Sequence, residues 1–288
     1  MPVNRAALTA ETLHYDVVIV GARAAGTSTA MLLARAGARV LVVDRAGYGS
    51  DTLSSHALMR GGVEQLRRWG LLDRVAAVTP AIGRTVFEFG LEPVVVDAAD
   101  DVSRGPLFAP RRTVLDPILV DAARAAGADF RFDTRVVDLV RDSDGRVSGI
   151  VFEPPDGSLA SVAAGLVIGA DGLRSFVARQ VDAPVSKRGQ HSLASIFAYV
   201  QGADLPQHDY RFAYHQGAIG GSIPTTDGLH CVFVSLAPLA FRTHAQLDVT
   251  SALERTLEQV SPTIAEGART GNLISPIRSF PGHHGQFR

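Results

Sequence analysis

The stretch from Tyr15 to Asp44, YDVVIVGARAAGTSTAMLLARAGARVLVVD, restricts the fold of this chain more than any other. Tyr15 to Val20 is a run rich in Val and Ile, long enough for a buried parallel strand and too short for a helix. Gly21 ends that run and permits a tight turn, and Gly26 lets the next helix pack closely on the strand. Backbone N–H groups at that helix N-terminus then converge on a phosphate. Ala24 to Arg35 has Ala, Met and Leu at helical spacing, Gly37 reads as the stop, and Arg39 to Val43 is a second apolar strand. It ends in Asp44, 23 positions beyond Gly21, close to the roughly 20 expected for a carboxylate that accepts a ribose hydroxyl. The middle glycine of the usual G-x-G-x-x-G is replaced by Arg23, whose backbone still approaches a ligand if φ is negative and whose guanidinium could neutralise a phosphate. Gly21, Arg23, Ala25, Gly26, Asp44 and the adjacent Arg45 are the candidate contacts to a dinucleotide, set against a purely structural βαβ unit.

At 288 residues the chain accommodates two interleaved domains, since one domain takes roughly 100–200. An apolar fraction of 46% with 20% charged residues describes a globular protein. A net charge of −1 supplies no field to gather nucleic acid or anionic lipid, so neither is expected as a partner. The single cysteine, Cys231 in LHCVFVSL, reads as a small buried hydrophobe rather than a nucleophile, which suits a reducing cytoplasm. No apolar stretch approaches the ~18–20 residues of a membrane span, and MPVNRAALTAETLH lacks the apolar centre of a signal peptide. The expectation is a cytoplasmic, unprocessed protein with a loose segment over residues 1–13.

Beyond Asp44, RAGYGSDTLSSHALMRGG reads as a loop of the kind that carries sites. Gly62 to Trp69 is a short amphipathic helix that continues into LLDRVAAV, and Arg84–Phe89 and Val94–Asp97 are strands separated by the turn GLEP. Phe108 to Arg112 is extended, and Val114 to Ala126 is helical with Asp116 and Pro117 at its opening. Ala128–Phe132, Val136–Arg141, Val147–Phe152 and a strand near Leu159–Ala163 follow, the last three forming a meander, and then a separate short buried strand, Gly165–Ala170, leads into Asp171-Gly172. SLASIFAYV, YRFAYH, GAIGGSIP and LHCVFVSL are further strands, and Leu247 to Val260 is an amphipathic helix. The fold class is therefore α/β: a Rossmann-like βαβ domain with a parallel sheet, interleaved with an antiparallel-sheet substrate domain. The expected division is 14–80 and 106–185 for the nucleotide domain, and 81–105 and 186–288 for the substrate layer.

Four motifs stand in one order: VIVGARAAG with Asp44, SDTLSSHALMRGG, RRTVLDPIL and IGADGLRS. Together they resemble the FAD-dependent monooxygenases and related oxidoreductases of the aromatic-hydroxylase, group A flavoprotein, family. The resemblance spans about residues 14 to 281. It implies that Arg112 touches the ribityl and isoalloxazine region, that Asp171-Gly172 lies near the pyrophosphate, and that the backbone of Val136 meets the adenine. It implies FAD as cofactor, NADH or NADPH as reductant, and hydroxylation of an aromatic or polyketide-like molecule through a flavin C4a-hydroperoxide. Family members continue with a Gly-Asp motif that binds the ribityl chain, whereas this sequence stops at PGHHGQFR. The expectation is thus a version of the fold lacking its C-terminal part, with weak retention of FAD.

Flavin carries its own redox and oxygen chemistry, so no catalytic triad is expected. His56 and Arg60, on the loop expected to cross the ring edge, could orient substrate or meet negative charge, or could simply hydrogen-bond the main chain. Tyr214 and His215 end a strand and could bond a phenol or carbonyl. The adjacent His283 and His284 lack a third ligand at suitable spacing, so no metal is expected. Trp69 is the only tryptophan, which disfavours a halogenase with paired tryptophans. Two alternatives remain: a flavin-dependent reductase of isoprenoid double bonds, and a non-catalytic remnant or module that binds an apolar ligand.

Overall fold

The computed structural model describes residues 9–90, 92–98, 105–245 and 248–287. It divides into two compact units, the first comprising residues up to 52 with 112–185, the second 53–111 with 186–287. Residues 53–80 and 106–111, assigned to the nucleotide domain from sequence, group instead with the second unit. Local pairing explains this: Leu58 bridges Phe108, Ile82 bridges Leu107, and the Arg60 guanidinium donates to the carbonyls of Gly105 and Ala98.

In chain order, β1 (Thr9–Val20), α1 (Ala24–Arg35) and β2 (Val40–Val43) open the first unit. The second takes α2 (Arg60–Trp69), α3 (Leu72–Ala76), β3 (Arg84–Glu88) and β4 (Val94–Asp97). The first resumes with α4 (Arg112–Ala125), β5 (Asp129–Arg131), β6 (Arg135–Arg141), β7 (Val147–Glu153), β8 (Ala160–Gly169) and α5 (Phe176–Gln180). The second continues with β9 (Lys187–Arg188), β10 (Ala194–Gln201), β11 (Asp209–His215), β12 (Ala218–Pro224) and β13 (Leu229–Leu236). It ends with α6 (Pro238–Ala245), α7 (Val249–Val260), α8 (Pro262–Arg269), β14 (Asn272–Leu273), β15 (Arg278–Phe280) and β16 (Gln286–Phe287). Leu247, the expected start of α7, lies outside the described residues, and Asp248 caps the helix by accepting from Thr250 and Ser251 N–H groups.

The first unit is a six-stranded sheet in the order β5-β2-β1-β8-β7-β6. β5, β2, β1 and β8 run parallel, while β7 and β6 return as antiparallel neighbours. Alternation along β1 and β2 sends Val18, Val20, Leu41 and Val43 into one core with Ile150, Phe152 and Val177. Residues 1–8 of the expected loose N-terminus lie outside the described residues. From Thr9, however, the chain is already strand, pairing with Ala160, because β8 extends far enough to offer it a parallel ladder. The strands expected near Leu159–Ala163 and at Gly165–Ala170 are one continuous β8. Gly165 marks close backbone approach, not a break: a Cβ there would lie 3.1 Å from the Asp16 carbonyl oxygen. Nor is the second half of β8 buried, since Leu166 is exposed. α4 begins at Arg112, earlier than Val114, which places Pro117 inside the helix rather than in its first turn. The Arg112–Asp116 ion pair, four residues apart, supports that added turn.

The second unit carries a sheet in the order β14-β10-β13-β12-β11-β3-β4, with β15 also on β10. Its pairings are antiparallel except β3 on β11, which is parallel. β10 and β13 divide their residues by parity. Ala194, Ile196, Ala198 and Val200, with Val232, Val234 and Leu236, pack against Leu253, Leu257 and Ile264 of α7 and α8. Ser195, Phe197 and Tyr199, with Cys231, Phe233 and Ser235, therefore face the other way. Among the described residues no helix is long and apolar enough to cross a membrane.

His230 is fully buried in this unit, with Nε2 3.3 Å from the Pro206 carbonyl oxygen, and burial holds its pKa below the ordinary value. A histidine depressed on folding contributes stability that is complete above its unfolded pKa of about 6.5 and is lost as pH falls through the lower folded value. Urea midpoints are expected to fall between roughly pH 7.5 and pH 5. His230→Gln should flatten that slope, and an unchanged slope would assign it to other groups.

Candidate functional site

The first unit builds a seat around the turn that follows β1. Gly21 has φ +109°, and a Cβ there would lie 2.4 Å from the Ala170 carbonyl oxygen; at Gly26 a Cβ would lie 1.9 Å from the carbonyl oxygen of Gly21. Both positions thus require glycine. Arg23 is the N-cap of α1 with φ −89° and no side-chain cap bond, so its backbone meets the condition that replacing a glycine imposes. Ala25 and Gly26 fall in the first turn of α1. Asp44 follows β2 and secures this turn: Oδ2 accepts from Ala22 N–H at 2.6 Å and Oδ1 from Ala46 N–H at 2.8 Å. Each carboxylate oxygen retains a further lone pair for a ribose hydroxyl. Arg45 beside it is exposed.

Beyond β8, Asp171 Oδ2 accepts from Phe176 N–H at 2.6 Å and from Val177 N–H at 3.2 Å, while Oδ1 is buried with no partner among the described residues. Gly172 follows with φ +82°. A buried acceptor without a donor is costly, and a donor group on a bound ligand would satisfy it. Val136 lies buried on β6, the sheet-edge strand, opposite Phe152, where the ladder is irregular before Asp138. The glycine cradle at an open helix N-terminus, together with the unsatisfied Asp171 oxygen, fits a dinucleotide.

Arg23 departs from expectation. Its guanidinium does not lie over the anion seat but donates to Asp116 Oδ2 at 2.9 Å, to the Ser50 carbonyl at 2.5 Å and to Ser50 Oγ at 3.0 Å. Arg112 grips the same carboxylate, through Nε to Oδ1 at 2.8 Å and Nη2 to Oδ2 at 3.0 Å. Asp116 is 4% exposed, against 28% for Arg23 and 17% for Arg112. One buried carboxylate thus holds two arginines, which leaves one surplus positive charge and fixes where Arg112 stands.

The second unit holds a cavity of about 350 Å³, within the range of small-molecule sites. Leu53, Phe197, Phe233 and Phe280 form apolar walls, and Ser54, Ser55, Ser195, Ser235 and Cys231 complete the lining. Burial pushes the Cys231 thiol up to about 12, against the opposing charge of Arg111, so the sulfur is a neutral wall atom. Aromatic rings continue across this sheet face. Phe212 meets Phe233 at 6.0 Å and stacks on Phe87 at 5.7 Å, and Phe89 stacks on Tyr214 at 4.9 Å. A Cβ at Gly221 would lie 2.6 Å from the Phe233 ring, so that glycine admits the ring.

Of the residues offered as catalytic, His56 is buried at φ +65° with Nε2 hydrogen-bonded to the Tyr199 hydroxyl, and Arg111 lies 4.4 Å over the Tyr199 ring. Arg60 follows the blander expectation, bonding the main chain at Gly105 and Ala98. Tyr214 is half-buried in the aromatic row and His215 is exposed. His283 packs edge-on to Phe280 while His284 Nδ1 is 3.1 Å from the Gly189 carbonyl oxygen. Ser50, Tyr199 and the Ser195–Ser235 pair carry no signal in the sequence, and Asp116 stands out there only as a residue at a helix opening. The spacing of Arg112 and Asp116 is that of a helical ion pair, but the sequence places Arg112 in an extended segment before the helix, and the third member, Arg23, lies 93 positions from Asp116.

Asp44→Ala is expected to weaken FAD binding by about 1–3 kcal/mol, because it removes the bonds that hold the glycine turn and a carboxylate expected to accept from a ribose hydroxyl. Titration of apoprotein with FAD measures this. Unchanged affinity would confine Asp44 to the turn bonds.

Residues 14–270 match the family of FAD binding domains. The chain is 34% identical over 164 residues to a menaquinone reductase of Mycolicibacterium smegmatis, covering 57% of this chain and 39% of that protein. It is 30% identical over 250 residues to the aklavinone 12-hydroxylase RdmE of Streptomyces purpurascens, covering 77% of this chain and 46% of that one. It thus spans less than half the length of these two relatives. The flavin-dependent brominase Bmp2 superposes with a TM-score of 0.82 at 19% identity, over 95% of this chain and 68% of that one, which is a likeness of fold.

Proposed function

The chain belongs to the FAD binding domain family, and from that premise we propose an FAD-dependent monooxygenase, reduced by NADH or NADPH, that hydroxylates an aromatic or polyketide-like small molecule. The observation that carries this reading is the cavity with aromatic walls in the second unit, in a chain whose first unit has a dinucleotide seat. Similarity to an aklavinone 12-hydroxylase supports the substrate class.

Bound FAD supplies the redox and oxygen chemistry. The chain's own residues bind, orient and exclude water. The Gly21–Gly26 turn and the α1 N-terminus receive the diphosphate, with the backbones of Arg23 and Ala25 at its edge. Asp44 would accept from the ribose, with Arg45 nearby, and the Val136 backbone would meet the adenine. Asp171 Oδ1 would accept a ligand hydroxyl, Gly172 would allow close approach, and Arg112, fixed by Asp116, would contact the flavin. Phe197, Phe233 and Phe280 displace water and hold a ring. A net charge of −1 agrees with a protein that handles a small molecule rather than nucleic acid.

The test is an absorbance spectrum of the purified chain reconstituted with FAD, followed by NAD(P)H oxidation and oxygen uptake with an added phenolic polycycle. A flavin spectrum that shifts on titration with FAD, with hydroxylated product formed as NAD(P)H is oxidised, is expected; failure to bind FAD at any concentration would overturn the reading. A second reading, a flavin-dependent reductase of isoprenoid double bonds, is favoured by the 34% identity to a menaquinone reductase. It predicts anaerobic substrate reduction with no hydroxylated product. A ligand-binding module would bind the aromatic ligand without flavin.

A further inference from the structure

Strand register sets the chemistry of the cavity in the second unit. β10 and β13 place Ser195 opposite Ser235 and Phe197 opposite Phe233, and β15 lays Phe280 beside Ser195 on the other flank. Aromatic rings therefore surround one hydroxyl pair, Ser195 Oγ and Ser235 Oγ, 2.8 Å apart. Two hydroxyls carry two protons, and the bond between them uses one. The second proton can be donated to a ligand oxygen, and the remaining lone pairs can accept from a ligand hydroxyl. Ser54, also on the lining, accepts from His56 N–H at 3.0 Å and so is partly committed to its own loop.

Charge narrows the ligand further. The lining contains no Arg, Lys, His, Asp or Glu among the described residues. A carboxylate drawn into these walls would touch no charged side chain, since Arg111, whose charge is felt at Cys231, is not on the lining, and burying a charge without a contacting partner is unfavourable. A neutral ring with a single oxygen meets no such penalty, because the serine pair can serve as donor to a carbonyl or acceptor from a phenol.

We propose that this cavity selects a neutral aromatic molecule, that the Ser195–Ser235 pair holds its phenolic or quinone oxygen, and that the cavity disfavours carboxylated rings. This rests on the aromatic-substrate reading of the same site and adds the ligand's charge and the atom recognised.

Calorimetric titration of the purified chain with 1-naphthol, naphthalene and 1-naphthoate tests it, without NAD(P)H. 1-Naphthol is expected to bind about tenfold tighter than naphthalene, the difference one hydrogen bond makes, and tighter than 1-naphthoate by at least that factor. In the Ser195→Ala/Ser235→Ala double variant both partners leave together, so no orphaned hydroxyl remains. Naphthalene affinity should hold while the naphthol advantage disappears. Equal or tighter binding of 1-naphthoate, a naphthol advantage that survives the double substitution, or no binding of any probe would overturn the proposal. The ranking of the three probes by the unsubstituted chain decides the matter even if the double variant does not fold. Because nothing turns over, the selectivity can fail while FAD-dependent hydroxylation of another substrate stands, and hydroxylation can fail while the selectivity stands.

Discussion

Gly26→Val is expected to abolish FAD binding and to lower folding stability by about 3 kcal/mol or more, at the upper end of overpacking penalties. A Cβ at this position would sit 1.9 Å from the carbonyl oxygen of Gly21 and 3.2 Å from the Ala170 Cβ. The first neighbour is backbone, so no rotamer change relieves the contact, and valine adds branching directly at the point of collision. α1 must move away from β1, and its N-terminal N–H groups move with it, off the anion seat. Alanine should already be damaging, since its Cβ is the clashing atom. Gly61→Ala is the control. Gly61 lies in α2 with nothing within 4 Å of its Cβ, so that change should be neutral or stabilising by about 0.4–1 kcal/mol. Urea denaturation and FAD titration of the three variants read the order. A soluble Gly26→Val protein with the parental midpoint and full FAD affinity would mean that the turn does not hold the helix in this way.

What the sequence revealed divides along the distance over which each interaction acts. The strand, turn and helix from Tyr15 to Asp44 were legible because glycine placement, apolar runs and a terminal acid are local signals. β8 was misread as two strands because Gly165 looks like punctuation in one dimension, whereas its cause is the Asp16 backbone, about 150 positions away. The transfer of 53–80 to the second unit followed from bridges such as Leu58–Phe108, which leave no trace in composition. In the second unit the strands were visible from alternation, but parity shows only that Ser195 and Phe197 share a face. That Ser195 meets Ser235 is a matter of register, set by the pairing of β10 with β13. Arg23 illustrates the same limit most clearly: its position in the turn was evident, and its partner was not.

That partner suggests why an arginine is tolerated where a glycine is usual. Asp116 draws the Arg23 guanidinium toward α4 and Ser50, away from the turn whose backbone must stay open. Asp116→Asn is therefore expected to destabilise the fold by about 2–3 kcal/mol, somewhat below the 3–5 of a fully buried pair because both arginines are partly exposed. The variant faces two guanidiniums with no counter-ion, and the loss should deepen at low salt, where their repulsion is least screened. FAD affinity should fall too, as Arg23 is freed near the α1 N-terminus and Arg112 loses the bidentate contact that fixes it. Arg23→Gly should be milder, since Asp116 keeps Arg112. The decisive measurement is the double variant. With Arg23 already glycine, Asp116→Asn strands one guanidinium instead of two, so its cost should shrink by about 1 kcal/mol or more, a coupling of the size seen within one ion-pair network. If urea midpoints show the two substitutions to be additive, Asp116 serves Arg112 alone, and the turn tolerates Arg23 through its negative φ without help from α4.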